Sequence, residues 1–296
     1  MSASVSSENV RVKTRLIRHS TQRKLVDGVL IGIPLLIMFI FIIGPFLWTL
    51  STSFKWERHI THRPVFLLPP EPTISNYVHA WNTLNFDVLF MNSLIVSTLS
   101  MIFVVIISVL VSYALTRFRF VGRDATLLVM LGTQFLPTSM MIIPLFLIFL
   151  QMGLFNTLTS VIIAVITFQF PYNTVLMRGF MSGIPVEIEE AAMIDGCSRL
   201  QSIAHVVLPI LVPGMIAAGS FAFVSAWREF LFTRMFITDV SRHTLSVGLS
   251  FMLNEFRVAF GYIAAGCMIA ILPPVLVFCY IQRFLVTGLA SGAVKG

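Results

Sequence analysis

The chain has 296 residues, 57% of them hydrophobic and only 11% charged, with a mean hydropathy of +0.91. A soluble domain carries about 25% charged residues, so this composition excludes a water-soluble globular protein and places the chain in a bilayer. The formal net charge of +7 is divided among loops and tails, which excludes a nucleic-acid face and leaves a membrane-topology signal.

Stretches free of Asp, Glu, Lys and Arg mark the spans in chain order: Gly28–Phe54, Val88–Thr116, Ala125–Met177, Leu200–Trp227 and Val258–Gln282. A spanning helix needs about 20 apolar residues. The third stretch therefore holds two helices with a turn near Gln151–Asn156, and six spans are expected. Basic residues near span ends stay cytoplasmic. With Arg11, Lys13, Arg15, Arg18, Arg23 and Lys24 inside, Arg117, Arg119, Arg123, Arg178, Arg199, Arg283 and Lys295 also fall inside. Trp48, Trp56, Trp81 and Trp227 then lie at the outer boundary, as interfacial aromatics do. Both termini are expected in the cytoplasm. The first span is too long for a signal-peptide core and lacks a small-residue cleavage site.

The organisation predicted is a cytoplasmic tail (1–25), a first span (26–50), an outer loop (51–87), a five-helix core (88–288) and a cytoplasmic tail (289–296). The outer loop has turn chemistry at Pro69-Pro70-Glu71-Pro72 and reads as a small cap. Pro34, Pro45, Pro137, Pro144, Pro171, Pro273 and Pro274 fall within spans. Each removes a backbone donor, and together they favour helices that bend around a path. Cys197, Cys267 and Cys279 are scattered, so no disulfide framework is implied. His59 and His62 make half a metal site with no third ligand nearby, so no metal is expected.

One segment breaks the lipid-loving pattern: Gly183-Ile-Pro-Val-Glu-Ile-Glu-Glu-Ala-Ala-Met-Ile-Asp-Gly196, running on to Pro213. Pro185 suits a first helical position. Glu187, Glu189 and Glu190 sit where negative charge favours a helix N-terminus. Gly196 is placed for a left-handed cap, and Ser198-Arg-Leu-Gln201 is a capping box that starts a second helix. The first helix, about 11 residues or 16 Å long, is too short and acidic to cross a bilayer. An amphipathic helix lying on lipid would want Lys or Arg on its polar face, so docking of a soluble partner is favoured.

Glu190-Ala191-Ala192, then Gly196, then Val206-Val-Leu208-Pro209 resembles the EAA motif of binding-protein-dependent ABC importer permeases, with Val206 where the family prefers Ile. Leu245-Ser-Val-Gly-Leu249, Trp227-Arg-Glu-Phe230 and the tail Gly288–Gly296 resemble the smaller permease subunit of maltose-type sugar importers. The resemblance covers most of residues 88–296. It implies an all-α, six-helix type I importer fold, in the bacterial cytoplasmic membrane, with no enzymatic activity of its own. It also implies four partners: a second, homologous permease, a homodimeric ABC ATPase that binds ATP and Mg, an extracytoplasmic solute-binding protein, and a sugar. Carried over by position, Glu190, Ala191, Ala192, Asp195, Gly196, Leu208 and Pro209 would couple to the ATPase. Ser291, Gly292, Val294 and Lys295 of the tail would contact it too. Gly248, Leu249, Ser250, Phe251 and Met252, in the loop of about 235–260, would meet the binding protein.

Trp227, Arg228 and Glu229 are candidates for the translocation path. Adjacent helix residues do not face each other, so at least one of the charged pair needs another partner. The family tetrad has Asn where this chain has Arg228, and a cation there could attract an acidic sugar or snorkel to the interface. A permease of the same class for another solute, such as glycerol phosphate, is the rival reading. A secondary transporter would want buried acidic or His relays in mid-membrane, and only Glu229 comes close. The sequence contains no Walker phosphate loop and no convincing Ser-His-Asp spacing.

Overall fold

The computed structural model describes the backbone of residues 4–83, 85–252 and 259–293, and the side chains of 28–82, 85–252 and 259–282. Among the described residues every regular element is helical. Helix α1 spans Ser4–Ser53, followed by α2 (Glu57–Ile60) and α3 (Ser75–Thr83). Next come α4 (Phe86–Arg117), α5 (Arg123–Thr133), α6 (Ile142–Gln151) and α7 (Leu158–Ser182). After α8 (Val186–Ile194) and α9 (Arg199–Ser202), a π-helical turn at Ile203–Val207 leads into α10 (Leu208–Trp227). Helices α11 (Leu231–Phe236), α12 (Leu245–Phe251) and α13 (Phe260–Ala293) complete the order. Among the described residues five helices are long and apolar enough to cross a membrane, and a bent pair raises the number to six if counted as one span.

That bent pair corrects the reading of the third apolar stretch. The turn at Gln151–Asn156 is present, where Asn156 takes a left-handed φ of 60°. The helix before it is itself broken, with Arg123–Thr133 meeting Thr138–Gln151 at 96°. Proline explains the break: Pro137 is extended at ψ 122° and donates no backbone bond, and its ring disfavours helix at the preceding Leu136. The outer loop also holds more structure than expected, with α2 and α3 inside it.

Helix α4 is the spine. It packs along α7 and α10, presenting buried Ser93, Ser97, Ser100, Ser108 and Ser112. Small side chains let helices approach closely within a bilayer. Where α7 meets α10, the Phe180 ring fills the space beside Gly214, so that a Cβ there would lie 2.6 Å from its Cγ. Apolar clusters fill the bundle, around Val96–Phe236, Met177–Leu211, Phe86–Trp227 and Leu115–Met130. By contrast α1 lies against α13 and exposes Leu35, Met38 and Phe41, a surface that only lipid or another membrane subunit makes favourable.

The bundle has two distinct ends. At one, the cap loop is pinned by Lys55, which is fully buried. Its Nζ donates to the Phe66 carbonyl at 2.7 Å and lies 4.5 Å from the Trp48 ring centre. Burial pushes the pKa of this ammonium down. Asn76 Nδ2 donates to the carbonyls of Ser53 and Lys55 at 2.9 and 2.8 Å. The Glu57 carboxylate accepts the backbone N–H groups of Phe260 and Gly261, each at 3.3 Å, and so caps the N-terminus of α13. The opposite end carries α8 and α9.

Candidate functional site

Helix α8, its glycine turn and α9 form an elbow at the end of the bundle. The helix is nine residues long, shorter than expected, because Pro185 sits just outside it at φ −59°, ψ 138° rather than in its first turn. Gly196 closes it with φ +95°, the left-handed conformation that only glycine adopts without strain. The N–H of Cys197 reaches back to the Ala192 carbonyl at 3.0 Å. The second arm starts with a reciprocal capping box: the Gln201 N–H donates to Ser198 Oγ at 3.4 Å and the Ser198 N–H to Gln201 Oε1 at 2.8 Å.

Leu208 and Pro209 have a backbone role in the turn that follows. The Leu208 N–H donates to the Ile203 carbonyl, five residues back. Pro209 has no N–H to offer, so the widened turn passes into α10 without the usual next bond. Such π turns inside helices collect at functional positions.

Glu190, Ala191, Asp195 and Gly196 are exposed, and Ala192 is half-buried. Apolar side chains accompany them: Ile194 is 87% exposed and Leu200 78%, with Val186 and Ile188 also exposed. Bare aliphatic groups clustered beside carboxylates mark a surface that another body covers.

Glu189 lies in the first turn of α8, as the sequence placed it, but its burial and its partners are not legible there. It is 4% exposed, not a surface charge. Arg117, at the end of α4, donates from Nε to its Oε1 at 2.5 Å and from Nη2 to the Ile184 carbonyl at 2.9 Å. Tyr113, one turn earlier on α4, donates its hydroxyl to Oε2 at 3.0 Å. Both side chains of the ion pair are nearly dry, 6% and 5% exposed. Breaking a pair of this kind costs about 3–5 kcal/mol, because it strands a buried charge.

A second candidate surface lies at the cap end. There α12, with Gly248 buried and Leu249, Ser250, Phe251 and Met252 half-buried, rests on α4. Asn92 Nδ2 donates to the carbonyls of Ser241 and His243, both at 2.9 Å. Ser93 Oγ accepts the Leu245 N–H at 2.7 Å. Residues 253–258, part of the loop expected to probe a partner, lie outside the described residues, as do Val294 and Lys295. Ser291 and Gly292 are in the last turns of α13.

Trp227 is buried and donates Nε1 to the Ala270 carbonyl at 3.0 Å. Glu229 turns into the protein and caps α11, accepting from the Phe232 and Thr233 N–H groups at 2.5 and 3.0 Å and from the Thr233 hydroxyl at 2.8 Å. Burial pushes its carboxyl pKa up, against the pull of these donors. Arg228 is exposed. His62 stacks on the Phe66 ring and His59 meets the same ring edge-on.

Comparison with known proteins places this geometry. The chain is 34% identical over 252 residues to the sulfoquinovosyl glycerol transport system permease protein of Agrobacterium fabrum, covering 85% of this chain and 88% of that one. It is 30% identical over 275 residues to a diacetylchitobiose uptake system permease protein of Streptomyces coelicolor, covering 93% and 100%. Its fold matches a bacterial ABC transporter chain involved in import of the acidic polysaccharide alginate. That match has a TM-score of 0.76 at 22% identity, over 87% of this chain and 96% of the other. Residues 105–291, which take in the elbow and the spans on either side of it, match the binding-protein-dependent transport system inner membrane component, and the chain belongs to that family of multi-pass permeases.

Proposed function

We propose that this permease is one of two homologous membrane subunits of an ATP-driven sugar importer, and that its elbow inserts into one subunit of a homodimeric ATPase that holds ATP and Mg. The observation that carries the reading is the contrast at α8: one face is locked to α4 by a buried ion pair, and the other is bare, acidic and apolar. Glu190 offers charge to a basic residue of the ATPase, the small Ala191 and Ala192 admit close approach, and Gly196 makes the bend. By the same reading the elbow and both termini are cytoplasmic. Residues Gly248–Met252 face the binding protein, and the tail at Ser291, Gly292, Val294 and Lys295 reaches the ATPase.

Crosslinking tests the docking. A cysteine replacing Ile194, in a background lacking Cys197, Cys267 and Cys279, should join the ATPase subunit through a short bifunctional thiol reagent. The same cysteine should resist an impermeant thiol reagent on intact cells. Labelling from outside, or no ATPase adduct in active membranes, contradicts the reading.

The substrate class follows the relatives, whose names describe carriers of glycosides, so a di- or oligosaccharide is the expected cargo. Arg228 supports a second, narrower reading. Its exposed guanidinium, next to a Glu229 whose oxygens are occupied by α11, is free to meet an anion. On this reading Arg228→Asn lowers uptake of an acidic oligosaccharide about tenfold, one lost charge-assisted contact, and leaves a neutral one unchanged. Equal effects on both sugars would remove Arg228 from substrate recognition.

A further inference from the structure

We propose that the Arg117–Glu189 ion pair, steadied by Tyr113, is the joint that carries movement of the elbow into α4, so that α4 acts as the rod linking the ATPase end to the cap end. This rests on the docking reading above and adds a transmission route to it. Arg117, Glu189 and Tyr113 are positioning residues: they hold no substrate.

Beside the cation–π contact of Arg199 with Phe118 at the end of α4, the elbow has three connections to the spans, and they differ in character. Its covalent link to α7 passes through Gly183 and the extended Pro185. Its covalent link to α10 passes through the π turn at Ile203–Val207, where Pro209 has no N–H to close the next bond. Neither link continues a regular α-helical hydrogen-bond ladder. The third connection is a fixed side-chain one. The planar Arg117 guanidinium is fixed at two points, Glu189 Oε1 and the Ile184 carbonyl. Tyr113, at i−4 on the same face of α4, holds the remaining carboxylate oxygen. With both oxygens occupied and the pair only 5–6% exposed, sliding or rolling α8 on α4 would part the two charges.

Helix α4 suits the task. From Asn92 to Arg117 it runs unbroken for about 37 Å, with no proline inside. At its far end Asn92 and Ser93 grip the segment that leads into α12. A displacement of α8 is therefore delivered, through one rigid element, to the surface assigned to the binding protein. A coupling route is established by energetic coupling and not by position between two sites, so the test measures coupling.

The experiment uses the full complex of permeases, ATPase and binding protein in proteoliposomes. Glu189→Gln should still co-purify with the ATPase, while stimulation of ATP hydrolysis by sugar-loaded binding protein falls at least about fivefold, the lower range of allosteric coupling. Exchanging the charges, Arg117→Glu with Glu189→Arg, should restore most of the stimulation. A pair that merely stabilised the fold would change yield and leave the stimulation ratio alone. Should Glu189→Gln fail to insert, Tyr113→Phe, which removes one hydroxyl, is measured the same way and should lower the ratio measurably. Unchanged stimulation in the assembled variant overturns the proposal, as does loss of the ATPase from it, which would mean the pair only shapes the docking face. If the unmodified permease never joins an ATPase, the docking reading itself falls; if it joins and these variants stimulate normally, only the transmission route does.

Discussion

Gly196→Pro leaves the permease inserted in the membrane but lowers sugar uptake about a hundredfold. The glycine holds φ at +95°, whereas a proline ring locks φ near −65° and imposes about 3 kcal/mol or more where that value is incompatible. The turn must then rebuild, and the second arm with its Ser198–Gln201 capping box leaves the position a partner cleft requires. About 3 kcal/mol of lost docking energy is worth two powers of ten in affinity. Gly196→Asn is the control, since Asn enters the left-handed region at less cost than other side chains, and it should lose less uptake than the proline variant. Glu190→Lys should match the proline variant for a different reason: it sets like charges against each other at the interface, which costs several kcal/mol. Labelled-sugar uptake, normalised to permease in the membrane fraction, decides. Uptake near the unmodified level in both Gly196→Pro and Glu190→Lys would show that the elbow is not the docking element.

The elbow was readable from sequence because its determinants are local. A left-handed glycine, a Ser-x-x-Gln box and an acidic first turn each act over three or four residues, and the structure has the glycine and the box where the pattern placed them. Spans were readable for the same reason, as apolar length needs no knowledge of neighbours. The bend at Pro137 was also locally encoded, yet an unbroken charge-free stretch from Ala125 hid it. Composition reports that a segment suits lipid, but not that it runs straight.

The buried pairing of Glu189 was not legible because its partner lies far along the chain. Three glutamates in a short helix look alike to a dipole argument, and Arg117 looks like any inner-side basic residue. One signal was available: Val186, Glu189 and Met193 recur at helical spacing on a single face, so the middle carboxylate interrupts an apolar stripe. A charge in such a stripe needs a buried cation, and the elbow and the span ends beside it supply Arg117, Arg178 and Arg199. Choosing among them required the packing of α4 against the elbow. Asn92 was missed for a related reason. A single amide in an apolar span signals a buried bond, but not that it reaches a loop about 150 positions later.

Asn92→Leu should lower stimulation of ATP hydrolysis by the loaded binding protein about tenfold or more, while the elbow still crosslinks to the ATPase. The amide nitrogen satisfies two carbonyls, Ser241 and His243, each at 2.9 Å. Leucine of similar size fills the space but donates nothing. Each stranded buried carbonyl costs about 1–3 kcal/mol, enough to release the segment leading into α12 from α4, while the apolar contacts of Phe86 and Leu89 keep the span in place. Removing the neighbouring hydroxyl in Ser93→Ala strands one N–H, that of Leu245, and should give a smaller loss in the same direction. Asn92→Asp should be worse than leucine, because its carboxylate faces two carbonyl oxygens and adds repulsion to the missing donor. The order Asp, then Leu, then Ala, from largest loss to smallest, follows from hydrogen-bond inventory alone. Normal stimulation in Asn92→Leu would mean the α12 segment receives no signal through α4, whatever the elbow does at the other end.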